Sequence, residues 1–254
     1  MTISGRALCT ALLGLMLYAT ELHAEAPIRV AVPDISNLLT ENENGVYQKI
    51  LDRALSNLQV DVDERFYPYK RALLVFEQGG ADCIYSFTEV LERRLGEKAV
   101  IASFPLGKFS YHLFTTKASP PPEGLASLKG RQVGAVIGHE TYLDPLLAEY
   151  DIDIVWAKND ELNVAMLDHD RFDTIIAAIP DVRPYLDGLS YAPERPLLES
   201  YDRLTCHNNE RNQVFLGDLS REMRRLKEQG VYEQLAGDLY VDFDSQSVGF
   251  WHSD

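Results

Sequence analysis

What most limits the folds open to this chain is the order in which short apolar runs alternate with runs of helical spacing. Residues 28–32 (IRVAV) are β-rich and stopped by Pro33 and Asp34, which predicts a first strand. Val46, Ile50, Leu51, Ala54, Leu55 and Leu58 then recur at helical spacing. Residues 60–66 alternate apolar and acidic as a second strand, and Pro68 opens a helix with Ala72, Leu73, Val75 and Phe76 on its apolar side. A Gly79-Gly80 turn leads into the apolar run 81–85. This βαβαβ order predicts a largely parallel sheet with ligands at the carboxyl ends of its strands.

After Pro105 the pattern restarts. Residues 111–115, 132–137, 153–157 and 174–179 read as strands, with helices over 141–150 and 160–167 between them. A last strand at 204–206 and helices over 214–229 and 231–239 are left over. An α/β unit, a second α/β unit and a leftover strand with helices predict a chain that crosses out and returns. Two lobes, joined near 103–109 and 195–203, then enclose a cleft for a small ligand. The expected division is a signal peptide at 1–24, a first lobe at 25–106, a second at 107–199 and a return segment at 200–254.

Arg6, the apolar run 7–19 and Leu22-His23-Ala24 have the order of a secretory signal peptide cut after Ala24. Cleavage removes one charge of each sign, so the net charge stays at −15, which argues against nucleic acid and anionic membranes as partners. Cys83 and Cys206 remain in a compartment that permits disulfides, too few for a disulfide framework, so an apolar core must hold the fold.

Candidate site residues sit where strands end. Ser86 and Thr88 lie between the third strand and a helix whose free N–H groups suit an anion, and Arg93 or Arg94 adds a planar fork for a carboxylate. The alternative for Thr88 is a plain N-cap. Asp34 ends the first strand, as a cleft residue or an Asx turn. Tyr67 and Tyr69 end the second strand, as an aromatic wall or as packing. His139, Glu140 and Thr141 follow Gly138 at the start of a second-lobe helix, opposite Thr88. No second histidine stands at ligand spacing from His139, so no metal is expected.

Three stretches in this order carry a resemblance. Leu219 to Tyr240 (LSREMRRLKEQGVYEQLAGDLY), Leu128-Lys129-Gly130-Arg131-Gln132-Val133-Gly134 with Gly138, and Pro68-Tyr69-Lys70-Arg71-Ala72-Leu73 with Gly79-Gly80-Ala81-Asp82 are similar to motifs of the family 3 extracellular solute-binding proteins. Those are the polar amino-acid receptors of ABC transporters. The resemblance covers nearly all of residues 27–241. It implies the two-lobed periplasmic binding protein fold (type II, α/β), a periplasmic monomer without cofactor, and a small-molecule ligand captured by lobe closure. The implied partner is an inner-membrane ABC permease or a sensor protein. Some relatives are cyclohexadienyl dehydratases, for which Glu140 and His139 are the available acid and base; no spacing marks a catalytic pair, so binding is expected. The family's topology also places Cys83 beside Cys206 on neighbouring strands, bonded or not.

The sequence departs from the family at three site positions. Gly45-Val46-Tyr47-Gln48-Lys49 lacks the first-helix acids, Leu91 stands where the carboxylate-binding Arg usually lies, and Ala178 where the amino-group acid lies. Either Asp34, Glu140 or Asp181 takes over from that acid, or the ligand is not an ordinary α-amino acid. The expectation is the second, a small carboxylate-bearing or polar solute.

Overall fold

The structure, a computed structural model, describes residues 26–245. The expected signal peptide, its cut after Ala24, and Cys9 lie outside the described residues. Two sheets organise the rest. The first comprises β1 (Ile28–Pro33), β2 (Val62–Tyr67), β3 (Cys83–Tyr85), β4 (Val100–Ala102) and the late strand β11 (Leu204–His207), in the order β2-β1-β3-β11-β4. Strands β1, β2 and β3 are parallel, and β11 runs antiparallel between β3 and β4. The second comprises β5 (Gly107–Thr116), β6 (Gln132–Val136), β7 (Asp153–Ala157), β8 (Ile175–Ile179) and β10 (Leu198–Asp202), in the order β10-β5-β8-β6-β7, with β9 (Leu189–Ser190) paired to β5.

The seven α-helices among the described residues are α1 (Val46–Leu55), α2 (Tyr69–Glu77), α3 (Thr88–Leu95), α4 (Glu140–Leu147), α5 (Asp160–Asp168), α6 (Glu210–Glu228) and α7 (Val231–Ala236). None is long and apolar enough to cross a membrane. Helix α6 starts four residues before its expected position. Its first turn is set by the Asn209 side chain, which accepts from the Asn212 N–H, while Val214, the first apolar residue of the pattern, is exposed.

Strand β8 shows why continuous apolar runs occur here. Ile175, Ala177 and Ile179 pack on the α5 side of the second sheet, and Ile176 and Ala178 on the opposite side. Both faces are covered, so every position is apolar. Ile176 and Ala178 belong to an apolar cluster that crosses the cleft, joining Ile84, Phe87 and Leu91 of the first lobe to Phe109, Tyr111 and Tyr142 of the second. The lobes are therefore packed against each other.

The two connections between the sheets are bonded together. Ser103 N–H donates to the Leu204 carbonyl (2.8 Å), Leu106 N–H to the Asp202 carbonyl (2.8 Å), and Arg203 Nη1 to the Ser103 carbonyl (2.6 Å). Strand β10, unmarked in the sequence, carries the second sheet through to Asp202, so residues 200–202 of the expected return segment still pair with β5. Beyond it, Cys206 lies opposite Cys83 in the β11–β3 ladder, and a disulfide joins them.

Candidate functional site

A small pocket lies between the sheets, lined by Ile35, Tyr69 and Ser86 from the first lobe, Phe109, Tyr111, His139, Tyr142, Ala178 and Asp181 from the second, and Asp202 at the connection. Its first-lobe wall is a strained turn. Ser86 and Phe87, between β3 and α3, hold φ of 66° and 63°, the left-handed region that non-glycine residues avoid. They are held from several sides. Ser86 N–H donates to the Arg203 carbonyl (2.7 Å), Thr205 Oγ1 to the Ser86 carbonyl (3.0 Å), and Phe87 N–H to the Tyr142 hydroxyl across the cleft (3.0 Å).

Two carboxylates face this pocket, Asp181 and Asp202, only 7% and 6% exposed. Asp202 accepts from the Tyr47 hydroxyl (2.8 Å) and from the Ser86 hydroxyl. Burial nevertheless raises it to about 6, those two bonds pulling the other way and Glu89 adding to the rise. Asp181 is pushed well above the ordinary carboxylate range, first by burial and then by the charges of Asp160 and Asp202. His139 is buried, and burial lowers it to about 4, so its imidazole is neutral. Its Nε2 stands 4.0 Å from Asp181 Oδ2, beyond hydrogen-bond reach, and its Nδ1 has no hydrogen-bond partner among the described residues. Aromatic rings close the pocket. Tyr111 and Tyr69 lie 5.5 and 5.7 Å from the His139 ring, and Tyr142 lies 5.4 Å from Phe109.

The structure distributes the sequence candidates unevenly. Tyr69, Ser86 and His139 line the pocket. Thr88 is buried with its hydroxyl against that of Thr205 (2.7 Å), so it neither caps α3 through its side chain nor points at a ligand. Arg93 is exposed and spans the cleft rim, its Nη2 donating to the Thr141 carbonyl (2.9 Å). Arg94 pairs with Glu77 of its own lobe (2.9 Å). Glu140 pairs with Lys70 across the cleft (2.7 Å) and its other oxygen accepts from Gly138 N–H. Thr141 Oγ1 turns back to the Gly138 carbonyl (3.4 Å). Tyr67 stacks beside Arg71, and Asp34 is exposed, within the field of Lys158. Of the three acids weighed as replacements at Ala178, Asp181 is the one in the pocket. It lies three residues further along, after the turn at Pro180.

Asp202, Tyr47, Phe109, Tyr111 and Tyr142 were not legible as site residues. Asp202 sits in a mixed polar strand, and the tyrosines read as ordinary packing on their own elements. Phe109 and Tyr111 share one face of β5, a period-2 signal that marks a buried face but not what lies over it.

The two buried acids fix the sign of a pH response. Their folded values lie above the unfolded value of about 3.9. Their contribution is therefore fully present below that value and lost as pH rises through about 6 for Asp202 and higher for Asp181. The ligand-free protein should thus unfold at lower temperature at pH 7 than at pH 5. Replacing Asp202→Asn, which keeps an acceptor for Tyr47 and Ser86, should remove about 1–1.5 kcal/mol of that difference. Parallel pH–stability curves for the two proteins in thermal melts would show that Asp202 is not ionising in a buried site.

Solved structures share this architecture. The GluR0 ligand-binding core from Nostoc punctiforme, in complex with L-glutamate, is 15% identical with a TM-score of 0.68, covering 84% of this chain and 99% of that one. An ancestral arginine-binding protein bound to arginine is 16% identical at 0.64, covering 86% and 100%. An amino acid ABC transporter substrate-binding protein from Streptococcus pneumoniae, bound to L-arginine, is 16% identical at 0.63, covering 84% and 93%. No protein-family model and no curated protein sequence matches the chain. The chain thus has the two-lobed periplasmic binding protein fold of type II, with the late strand β11 returned into the first sheet.

Proposed function

We propose that the protein is an extracytoplasmic solute-binding protein that captures a small molecule by closing its two lobes. The observation that carries this reading is that one pocket is lined from both lobes, while bonds such as Phe87 to Tyr142 and Lys70 to Glu140 tie the lobes shut around it. Asp181 and Asp202 lie in the space that the two lobes enclose, and a ligand that compensates these acids shifts the population toward the closed form. Delivery to an inner-membrane ABC permease is the first reading of the partner, supported by the transporter proteins that share the fold. A sensor partner uses the same closure.

Binding rather than catalysis is favoured by the state of the candidate acid and base. Glu140 is engaged by Lys70 and Gly138, and His139 has no proton partner within reach. The test is closure itself. Small-angle scattering should show a smaller radius of gyration when a bound solute is added. A ligand at 100 times its dissociation constant should add about 2.7 kcal/mol, raising the melting temperature by roughly 5–11 °C. A chain whose dimensions and melting temperature respond to no small solute of any charge is not a solute-binding protein.

A further inference from the structure

We infer that the cleft takes a small organic cation, an amine without a carboxylate group, seated between Asp181 and Asp202 and boxed by Tyr69, Phe109, Tyr111 and Tyr142. The inference rests on the solute-binding reading and names the chemical class of its solute.

Charge balance is the first argument. Both carboxylates are buried, and none of the described residues lining the pocket is a lysine or arginine. The charged groups that act on them are acids: Asp160 and Asp202 on Asp181, Glu89 on Asp202. Arg203, next to Asp202 in the chain, is buried with its Nη1 on the Ser103 carbonyl and its charge within the field of Glu89, and the rim cations are committed as well, Arg93 to the Thr141 carbonyl, Arg94 to Glu77 and Lys70 to Glu140. Two ionised carboxylates in such a place are costly until a positive charge is brought in.

The second argument removes the carboxylate from the ligand. The start of α3, expected from the sequence to cradle an anion, is taken. Phe87 N–H is bonded to Tyr142, Thr88 is turned to Thr205, and the first turn carries Glu89, whose carboxylate accepts from Ser200 Oγ. A ligand carboxylate here would lie beside those of Glu89 and Asp202, and the buried cation near them, Arg203, is already engaged by the Glu89 charge and the Ser103 carbonyl. The sequence expectation of a small carboxylate-bearing or polar solute followed from the acids missing at Ala178 and on the first helix; the pocket narrows it to a polar solute without the carboxylate, since Arg93 is kept at the rim and Arg94 on Glu77.

The third argument concerns what the site offers a cation. His139 is nine-tenths buried against the pocket as a neutral imidazole, and its Nδ1 has no partner among the described residues, so the ring has a free place for an N–H of the ligand. Four aromatic side chains supply ring faces that attract a desolvated cation. A bare metal ion fits poorly: among the described residues no group of three or more His, Cys, Asp or Glu side chains could hold one.

Calorimetric titration and thermal melts of the full exported protein test this with three sets of probes: methylammonium, ethanolamine, choline and putrescine; L-glutamate, L-glutamine and L-arginine; and succinate. At least one amine should bind and raise the melting temperature, while the amino acids and succinate do not. Asp181→Asn and Asp202→Asn should each weaken amine binding by about 10–100-fold. Both should also raise the melting temperature of the ligand-free protein at pH 7, a sign opposite to that of a misfolded variant. Binding of an amino acid or of succinate without binding of any amine overturns the cation assignment and leaves the solute-binding reading in place. Silence from all three sets, with no change in the radius of gyration, overturns both.

Discussion

Replacing Cys83 and Cys206 together by alanine should lower the melting temperature by roughly 6–20 °C. The two residues are 123 positions apart, and the loop they close includes the whole second sheet. In the chain-entropy account, closing a loop of about 100 residues restricts the unfolded chain by about 4.7 kcal/mol, and measured disulfides in general contribute about 2–4. We expect about 3–5 kcal/mol, with each kcal/mol moving the midpoint by about 2–4 °C for a chain of this size. The bond lies between β3 and β11, so it also fixes the return of the chain to the first lobe, directly behind the Ser86–Phe87 turn. Counting thiols in denatured, unreduced protein checks the premise. Cys83 and Cys206 should contribute none, and finding both free would remove the basis of the prediction.

The second large effect is expected at Gly138. This residue has φ of 106°, and a Cβ built there would stand 2.5 Å from the Tyr69 ring of the opposite lobe. Gly138→Ala therefore adds two costs, a left-handed backbone for a residue with a side chain and a collision that exists only when the lobes meet. Together they should amount to about 2–4 kcal/mol. The collision is relieved by opening, so it appears as lost affinity, while the backbone strain appears in the melting temperature. Affinity for the bound solute should fall by about 10-fold or more beyond any change that the loss of stability explains. A companion Tyr69→Ala change should restore part of the closure seen by scattering. If affinity is unchanged in Gly138→Ala, the lobes do not meet at this contact in the bound state.

Much of the fold was legible because its signals are local. Residues 28–32 and 132–137 are mostly apolar over the length of a strand, Pro68 and Gly79-Gly80 bound the second helix, and Gly230 separates the last two helices. The periods of two and 3.6 are set by backbone geometry, so they survive in a single sequence. The order of these elements already required a chain that leaves one lobe and comes back to it. A strand whose identity comes from a partner carries no such local signal. Strand β10 (LESYD) is half polar, and its extended form follows from antiparallel pairing to β5.

The sequence by itself determined a two-lobed α/β chain with a cleft, and it placed Tyr69, Ser86 and His139 near strand and helix ends that face one another. Only the tertiary structure decided the chemistry of the cleft. Asp202 comes from the connection between lobes and Asp181 from beyond β8, far apart in the chain. Each is an ordinary surface residue type until burial removes its water. Arg93 and Arg94 read as ligand-binding forks because arginine beside a helix start suits an anion, yet one is bonded at the rim and the other to Glu77. The reason is physical: periodicity reports which residues share a face of one element. The charge balance of a pocket depends on which faces of different elements are brought together, and on which of their charges are already paired there.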